Sequence, residues 1–376
     1  MQPKKILIAP DSFKGTLSSA QICEIIAKAA HNRFPGCKIV SIPIADGGEG
    51  SVDSFLACAG GEKRWVTVKG PFMEDMKAFY AVLSNGCAVI EMAACAGLPL
   101  VGDNKNPFTA STYGVGQLIL DAVNRGAKKI ILGLGGSATN DGGCGAAAAC
   151  GVQFIGVDGQ NFIPTGGTLK DIQSIDLASL PANLSGIEIT AMCDINNPMH
   201  GTQGAAYIFG PQKGANADDV IILDNGLKHL EEGIKQCIGK DVANIPGAGA
   251  AGAMGAGMLA FFNATLKMGI EVVLDTVGFD SLLDDADLVI TGEGSFDHQS
   301  LGGKAVMGIA RRAKEKSTPV IVISGGAEEL DQAYDMGVTA VFTINRRPED
   351  LSVSKGKSAE NLRATVDNVF RLIGGV

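Results

Sequence analysis

The stretch Ile6–Leu17 reads Ile-Leu-Ile-Ala-Pro-Asp-Ser-Phe-Lys-Gly-Thr-Leu, a short apolar run that ends in a polar loop. Ser18 follows, with Gln21 three residues later, which is the pattern of a helix capping box. From there to Arg33 the apolar side chains recur on one helical face, and Pro35 then stops the helix. The stretch therefore predicts a buried strand, a loop and a helix, the repeating unit of a parallel α/β sheet.

The same order recurs at both ends of the chain. Lys38–Ile44 is a second expected strand, and three more are expected at Asp287–Thr291, Pro319–Ile323 and Val338–Thr343. Helical patterns alternate with these strands. We therefore predict an α/β fold with a doubly wound parallel sheet, and if the first strand is central the strand order is 2-1-3-4-5.

The sequence pattern differs between these two parts, over residues 65–282. Short strands and turns are expected first, and a helix is expected over Ser111–Arg125. We interpret them as a second α/β domain inserted into the first, which then comprises 1–64 and 283–376. The alternative is two domains that are each continuous in sequence, with the boundary at about residue 180.

Composition and charge limit the class of protein. The 376 residues are 46% apolar and 19% charged, which is typical of a globular chain long enough for two cores. The net charge is −9 and basic residues occur at most in pairs, so we expect no nucleic-acid partner and no anionic membrane surface. No segment is apolar enough to predict a signal peptide or a membrane span with conviction, and a cytoplasmic protein is expected.

Between Lys128 and Gly145 an aliphatic run leads into Gly-Leu-Gly-Gly-Ser-Ala-Thr-Asn-Asp-Gly-Gly. Glycines let a backbone approach an anion closely and turn several N–H groups toward it. Ser137, Asn140 and Asp141 add a hydroxyl, an amide and an acid to the same loop. The segment predicts a site for a phosphorylated or carboxylated ligand.

Acidic side chains follow five expected strands of the chain. They are Asp11, Asp46 with Glu49, Asp141, Asp194, and Glu293 with Asp297. Each one alone is more often a helix cap or a turn former. Together they form a set of hard oxygen ligands that suits Mg²⁺, and Lys14 and Lys213 in glycine-containing loops supply positive charge. The combination favours phosphoryl transfer.

Residues 247–252, Gly-Ala-Gly-Ala-Ala-Gly, match the G-x-G-x-x-G pattern, although no clear strand precedes them. As a dinucleotide fingerprint the match is weak. Two alternatives stay open, a helix N-terminus that holds a phosphate and a close helix contact.

Seven motifs resemble those of the bacterial type I glycerate kinases, in order, from residue 5 to beyond residue 310. They are Ala9-Pro-Asp-Ser-Phe-Lys-Gly, Ala45-Asp-Gly-Gly-Glu-Gly, Gly135-Gly-Ser-Ala-Thr-Asn-Asp-Gly-Gly, Cys193-Asp with Asn197-Pro, Phe209-Gly-Pro-Gln-Lys-Gly-Ala, Pro246-Gly-Ala-Gly-Ala-Ala-Gly and Thr291-Gly-Glu-Gly. The resemblance implies ATP-dependent phosphorylation of D-glycerate with Mg²⁺. It also implies a flavodoxin-like domain that carries an inserted second domain, with the active site in the cleft between them.

Within this hypothesis each candidate residue has an expected role. Asp194 is the preferred base for the substrate hydroxyl, Asp141 is second, and Lys14 supports the reaction with its charge. The residues expected to bind substrate or phosphate are Asp11, Ser12, Lys14, Gly135, Gly136, Ser137, Asn140, Asn197 and Lys213. The residues expected near the metal are Asp46, Glu49, Glu293 and Asp297.

Several alternatives remain at this stage. The family resemblance favours 2-phosphoglycerate as product, and transfer to O3, giving 3-phosphoglycerate, is the alternative. A non-catalytic protein that binds a sugar acid, or an oxidoreductase that binds a flavin or a dinucleotide, would also be compatible with a doubly wound sheet. The expected partners are D-glycerate and ATP, and a homodimer is left open.

Overall fold

The computed structural model describes residues 2–44, 50–302, 304–328, 330–345, 347 and 350–375. Its strands are β1 (Lys5–Ile8), β2 (Lys38–Ser41), β3 (Gly61–Lys69), β4 (Asp75–Leu83), β5 (Ala88–Glu91), β6 (Lys129–Gly133), β7 (Gln153–Gly156), β8 (Asn161–Phe162), β9 (Ile172–Asp176), β10 (Glu188–Met192), β11 (Thr265–Lys267), β12 (Leu288–Thr291), β13 (Ser295–Phe296), β14 (Val320–Ser324), β15 (Gly326–Ala327) and β16 (Ala340–Thr343). Its helices are α1 (Ser19–Arg33), α2 (Ser51–Ala59), α3 (Ala93–Ala96), α4 (Leu98–Val101), α5 (Tyr113–Asn124), α6 (Cys144–Ala149), α7 (Ala205–Phe209), α8 (Ala217–Ile238), α9 (Ala250–Phe261), α10 (Gly269–Thr276), α11 (Phe279–Leu283), α12 (Ala305–Glu315), α13 (Asp331–Asp335), α14 (Leu351–Lys355) and α15 (Ser358–Gly374).

One compact unit comprises Met1–Asp46, Ala57–Ala59 and Met268–Val376. Its core is a five-stranded sheet in the order β2-β1-β12-β14-β16, and every neighbouring pair is parallel. All four residues of β1 are buried, because β2 and β12 pair with it on either side. The predicted α/β class with parallel strands is confirmed.

Helix α1 begins where the sequence predicts. Ser18 Oγ accepts a hydrogen bond from the Gln21 N–H at 3.2 Å, and Gln21 Oε1 accepts from the Ser18 N–H at 2.9 Å. This capping box satisfies two backbone donors at the helix start. Along the buried face of α1, Phe34 just after the helix packs edge-to-face on Phe370 of α15, with ring centroids 5.4 Å apart.

The second unit comprises Gly47–Leu56 and Gly60–Lys267. Its larger sheet has six strands in the order β11-β10-β6-β5-β4-β3, of which β5, β6, β10 and β11 run parallel and β3 and β4 antiparallel. A separate antiparallel sheet, β8-β7-β9, lies in a region where the sequence pattern predicts no particular element. The domain boundaries drawn from the sequence, at 64/65 and 282/283, stay a prediction.

The parallel strands of this second unit end level with one another. Glu91 of β5 and Met192 of β10 are both paired with Gly133 of β6. The segments that follow β5, β6 and β10 therefore start at one edge of the sheet, the edge where ligands bind in open α/β folds.

Element ends differ from expectation by a few residues. The strand expected at Lys38–Ile44 ends at Ser41, before Pro43, which has no N–H to donate to a neighbouring strand. Residues 242–266 carry no charged side chain, and they form a loop, helix α9 and the first residues of β11. In the described part of the chain, no helix combines the length and the apolar character that crossing a bilayer requires.

Candidate functional site

The loop Gly135–Asp141 follows β6 and pairs with the segment that follows β5. The Leu98 N–H donates to Gly136 O at 2.8 Å, and the Ala138 N–H donates to Ala96 O at 2.9 Å. Gly136 adopts a φ of 75°, a conformation that favours glycine. The N–H groups of Gly135, Gly136 and Ser137 have no acceptor among the described residues, so they can donate to an anion.

Asp141 is fully buried at the end of this loop. Its carboxylate accepts from the Thr112 N–H and the Thr112 hydroxyl, both at 2.8 Å, and from the N–H groups of Gly143 at 3.1 Å and Gly145 at 3.2 Å. Burial raises the pKa of Asp141, and these four donors oppose that shift. Because both oxygens are engaged, Asp141 fastens the loop to the starts of α5 and α6.

Lys213 contacts the same loop at two points. Its Nζ donates to Ser137 Oγ at 2.8 Å and to Thr139 O at 2.7 Å, and the residue is only 2% exposed. The turn that carries it begins with Pro211 and ends at Gly214, whose φ is 97°. Burial lowers the pKa of Lys213 to about 7, although the nearby charge of Asp141 opposes this.

The loop also holds polar atoms without a partner. Thr139 Oγ1 and both amide atoms of Asn140 are buried and make no hydrogen bond with any described residue. Such atoms are rare in folded proteins and usually indicate a bound water, an ion or a functional role. Asn140 was a predicted ligand-binding residue, and its amide is unpaired but fully buried.

Helix α9 packs directly on this loop through its glycines. Ala251, Gly252 and Ala253 have φ values of 56°, 67° and 67°, so the helix is kinked at its start. A Cβ on Gly252 would lie 2.0 Å from Thr139 O, and one on Gly257 would lie 2.3 Å from Gly142 O. Of the two alternatives for the G-x-G-x-x-G match, the structure shows the close backbone contact.

Asp194 and Asn197 lie in the segment that follows β10, and both are partly exposed. The Gly249 N–H donates to Asn197 O at 2.9 Å, and Asn197 Nδ2 donates to Gln203 O at 2.8 Å. Since β10 is the neighbour of β6, the sheet brings this segment and the Gly135–Asp141 loop to the same edge.

Two carboxylates of α8 hold the far end of that segment. Asp224 Oδ1 accepts from the Gly201 N–H at 2.7 Å, and Glu231 Oε2 lies 2.5 Å from His200 Nε2. Burial alone would raise the pKa of Glu231, but hydrogen bonds from Lys235 and His200 lower it below the ordinary value. The segment that carries Asp194 is thus anchored to a long helix.

The first unit contributes an acidic group of its own. Asp11 and Glu293 follow the neighbouring strands β1 and β12, and the Asp11 N–H donates to Gly292 O at 2.8 Å. Burial raises the pKa of Glu293 to about 7, a Ser300 hydrogen bond opposes this, and the charges of Asp11 and Asp297 add to it. Asp11 and Asp297 are therefore close enough to Glu293 for their charges to raise its pKa.

The remaining candidates of this unit have local roles. Asp11 Oδ1 accepts from the Ser12 N–H at 2.6 Å, and Asp297 Oδ1 accepts from the Gln299 N–H at 2.9 Å. Asp297 thus also shapes a turn, the common alternative for such an acid. Lys14 is exposed in the turn that follows.

The expected metal ligands stay a prediction. Asp46 and Glu49 lie outside the described residues. Over the ranges that the structure describes, no group of three or more His, Cys, Asp or Glu side chains could hold a metal ion. One buried oxygen, Glu293 Oε1, has no hydrogen-bond partner there, and an unpaired carboxylate oxygen fits Mg²⁺ that a nucleotide carries with one or two protein ligands.

Two residues that support the site were missed. Thr112, whose hydroxyl bonds Asp141, stands just before α5, a position typical of helix caps. Glu91 is 3% exposed and accepts from the N–H groups of Gly50 at 3.3 Å and of Val52, at the start of α2. Burial raises the pKa of Glu91. An acid directly after Ala-Val-Ile was the available signal for Glu91, because it matches the other strand ends.

A model of the glycerate kinase family matches residues 6–374. The chain belongs to the glycerate kinase family. A glycerate kinase of Bacillus cereus is 45% identical over 97% of both chains. The glycerate 2-kinase of Escherichia coli K12 is 41% identical over 98% of this chain and 95% of that protein. The resemblance seen in the motifs is confirmed, and the protein is a kinase.

A solved structure agrees with this assignment. It is a crystal structure from Salmonella typhimurium LT2 of a protein assigned as glycerate kinase 2. It is 38% identical to this chain, covers 98% of both chains and superposes with a TM-score of 0.88. The fold of this family member is thus shared along almost the whole chain.

Proposed function

We propose that the protein transfers the γ-phosphoryl group of ATP to O2 of D-glycerate, giving 2-phosphoglycerate and ADP. Family membership and the glycerate 2-kinase name of a relative that is 41% identical support the proposal. The observation that carries it is the Gly135–Asp141 loop, where unpaired N–H groups lie beside a hydroxyl that accepts from a buried lysine. Phosphoryl transfer depends mainly on positioning and on donors aimed at charged oxygens, which such a loop supplies.

In this proposal Ser137 and the N–H groups of Gly135 and Gly136 donate to phosphate or carboxylate oxygens. Asn197 and Asn140 supply further amide contacts. Lys14, which is exposed in the first unit, is the proposed further positive charge. Asp11 and Ser12 belong to the same turn and complete the proposed binding set.

Asp194 is the proposed base that accepts the proton of the glycerate hydroxyl. Asp194 is partly exposed in the segment that follows β10, so a substrate can reach it. Asp141, the second candidate, already accepts four hydrogen bonds and is fully buried, so we assign it a positioning role.

Magnesium would be held mainly by the nucleotide phosphates, with Glu293 and Asp297 as protein ligands and Asp46 and Glu49 as candidates outside the described residues. When bound, Mg²⁺ neutralises charge on the phosphate oxygens. A cytoplasmic location, a homodimer and a site between the two domains stay predictions.

The test is ³¹P NMR of the product formed from D-glycerate and MgATP. Phosphorylation at O2 gives a phosphorus signal split by one carbon-bound proton, whereas phosphorylation at O3 gives a signal split by two. We expect the first pattern together with ADP. The second pattern would move the transfer to O3, and ADP formation that does not depend on glycerate would contradict the proposal.

A further inference from the structure

Lys213 contacts the loop that the sequence predicts to bind an anion, but the side chain of Lys213 is buried. Lys213 is 2% exposed, and Ser137 is 6% exposed. Two N–H groups of the lysine are already used, one by Ser137 Oγ and one by Thr139 O. A buried side chain with its donors engaged in this way does not meet a ligand in solution.

We infer that Lys213 is a positioning residue that acts through Ser137, fixing the direction in which the serine hydroxyl donates. The inference rests on the proposed function and changes the role of one of its residues. A charged lysine only donates, so Ser137 Oγ is the acceptor in the hydrogen bond from the ammonium. The single hydrogen of the hydroxyl is then left to donate elsewhere, and an oxygen of the bound anion is the acceptor we assign to it.

The lysine also sets the shape of the loop. Its second bond, to Thr139 O, attaches the same Nζ two residues further along the chain. The loop is thus held at two points by one side chain, while Asp141 holds its end through four donors. Because Asp141 holds the loop end independently, we expect loss of the lysine bonds to release mainly the serine hydroxyl.

The surroundings of the amine agree with a structural donor. Burial lowers the pKa of Lys213 to about 7, so a large fraction is neutral near pH 7. A neutral amine has two N–H groups, which matches the two acceptors on the loop. Hydrogen bonding to Ser137 continues in either protonation state, because both forms donate.

The experiment is a double-mutant cycle with Ser137→Ala, Lys213→Met and the double variant, assayed for glycerate-dependent ADP formation. Loss of a hydrogen bond to a charged ligand lowers kcat/KM by roughly 10- to 100-fold, and we expect this from Ser137→Ala. If Lys213 acts through Ser137, adding Lys213→Met to Ser137→Ala costs little more. Losses that multiply would show an independent contact of Lys213 with the ligand and would overturn the inference.

Ser137→Thr is the conservative variant, since it keeps the hydroxyl. In the Ser137→Thr background, Lys213→Met should again lower kcat/KM. If Lys213→Met acted only by lowering stability, it would lower kcat/KM equally with Ser, Thr or Ala at position 137. If Lys213→Met does not fold, Lys213→Gln replaces it in the same cycle, because it keeps an N–H donor.

Lys240 provides the matched control. It is also partly buried in the second unit, and its Nζ donates to Leu259 O at 2.8 Å and Ala260 O at 3.0 Å, away from the loop. Lys240→Met should lower the melting temperature and leave kcat/KM near that of the unchanged protein.

A separate measurement distinguishes failure of the inference from failure of the proposed function. If the unchanged protein forms no ADP with glycerate, the proposed function fails. The same four proteins are then compared by the shift in melting temperature that MgATP produces. Equal shifts for Ser137→Ala and the double variant support the inference, and a smaller shift for the double variant contradicts it.

Discussion

Asp141 and Asp194 both follow strands of one sheet, yet their surroundings differ. Asp141 is enclosed and accepts four hydrogen bonds, whereas Asp194 is partly open to solvent. In the sequence each is simply an acid after an aliphatic run, and nothing local distinguishes them. The difference comes from Thr112 and from the glycines after Asp141, which meet the carboxylate only in the folded chain. At this scale the placement of both acids at one edge of the sheet was predictable, but their different burial was not.

The first prediction concerns Asp194→Asn. Removing a base that accepts the substrate proton should lower kcat by roughly 10²-fold, while KM for ATP changes little because the binding loop is untouched. Steady-state kinetics with MgATP and glycerate measures both. Asp158→Asn, at an exposed turn, is the control and should behave like the unchanged protein. An unaltered kcat in Asp194→Asn would remove Asp194 from the role.

The second prediction concerns Asp141→Asn. The amide would place an NH₂ group against at least one of the donors that now face a carboxylate oxygen, so a buried donor loses its acceptor. The free energy of unfolding should fall by about 1–3 kcal/mol, measured by urea denaturation. Unchanged stability together with lost turnover would instead assign Asp141 to the chemical step.

At the scale of elements, the glycines of α9 allow this helix to pack closely against the backbone that follows β6. Gly252 combines a left-handed φ with contact against Thr139 O, so it serves both the kink and the close approach. The sequence left a close helix contact open here, but it did not predict the three left-handed residues, since two of them are alanines. The capping box of α1 was predictable because its partners lie three residues apart. The sheet β8-β7-β9 was not, because its strands are short and its pairing is set by tertiary contacts.

The third prediction compares two Gly→Ala changes at similar φ. Gly239, at the end of α8, has a φ of 75° and nothing within 4 Å of an added Cβ, so Gly239→Ala should cost only the backbone strain of about 1–2 kcal/mol. Gly252→Ala adds a steric clash with Thr139 O and should cost clearly more. Urea denaturation of both variants measures the difference. Equal losses would show that the contact with the Thr139 carbonyl is not tight.

For the whole molecule, the pH dependence of stability reports on the buried lysine. The pKa of Lys213 is lowered to about 7 in the folded chain, from the ordinary lysine value of 10.5 that applies to the unfolded chain. Between these two values the unfolded chain binds more protons than the folded one, so the contribution of this group to stability rises with pH. Below about pH 7 the folded chain must bury the charged form, and that contribution is absent.

The fourth prediction follows from this sign. The melting temperature of Lys213→Met minus that of the unchanged protein should be highest near pH 6. This difference should decrease as the pH rises from 7 toward 10. Differential scanning calorimetry at several pH values measures the difference. A difference that is constant over this range would contradict the lowered pKa.

The central position of β1 has a consequence for synthesis. Ile6 at the start of the chain pairs with Leu288, near the beginning of the last quarter of the sequence. A ribosome delivers the N-terminal strand first, so β1 waits without its β12 neighbour while most of the chain is still being translated. During that interval β1 and β2 form at most a two-stranded edge, which is marginally stable and open to pairing with other chains. Nascent chains that end before Leu288 should therefore depend on chaperones more than the finished protein does.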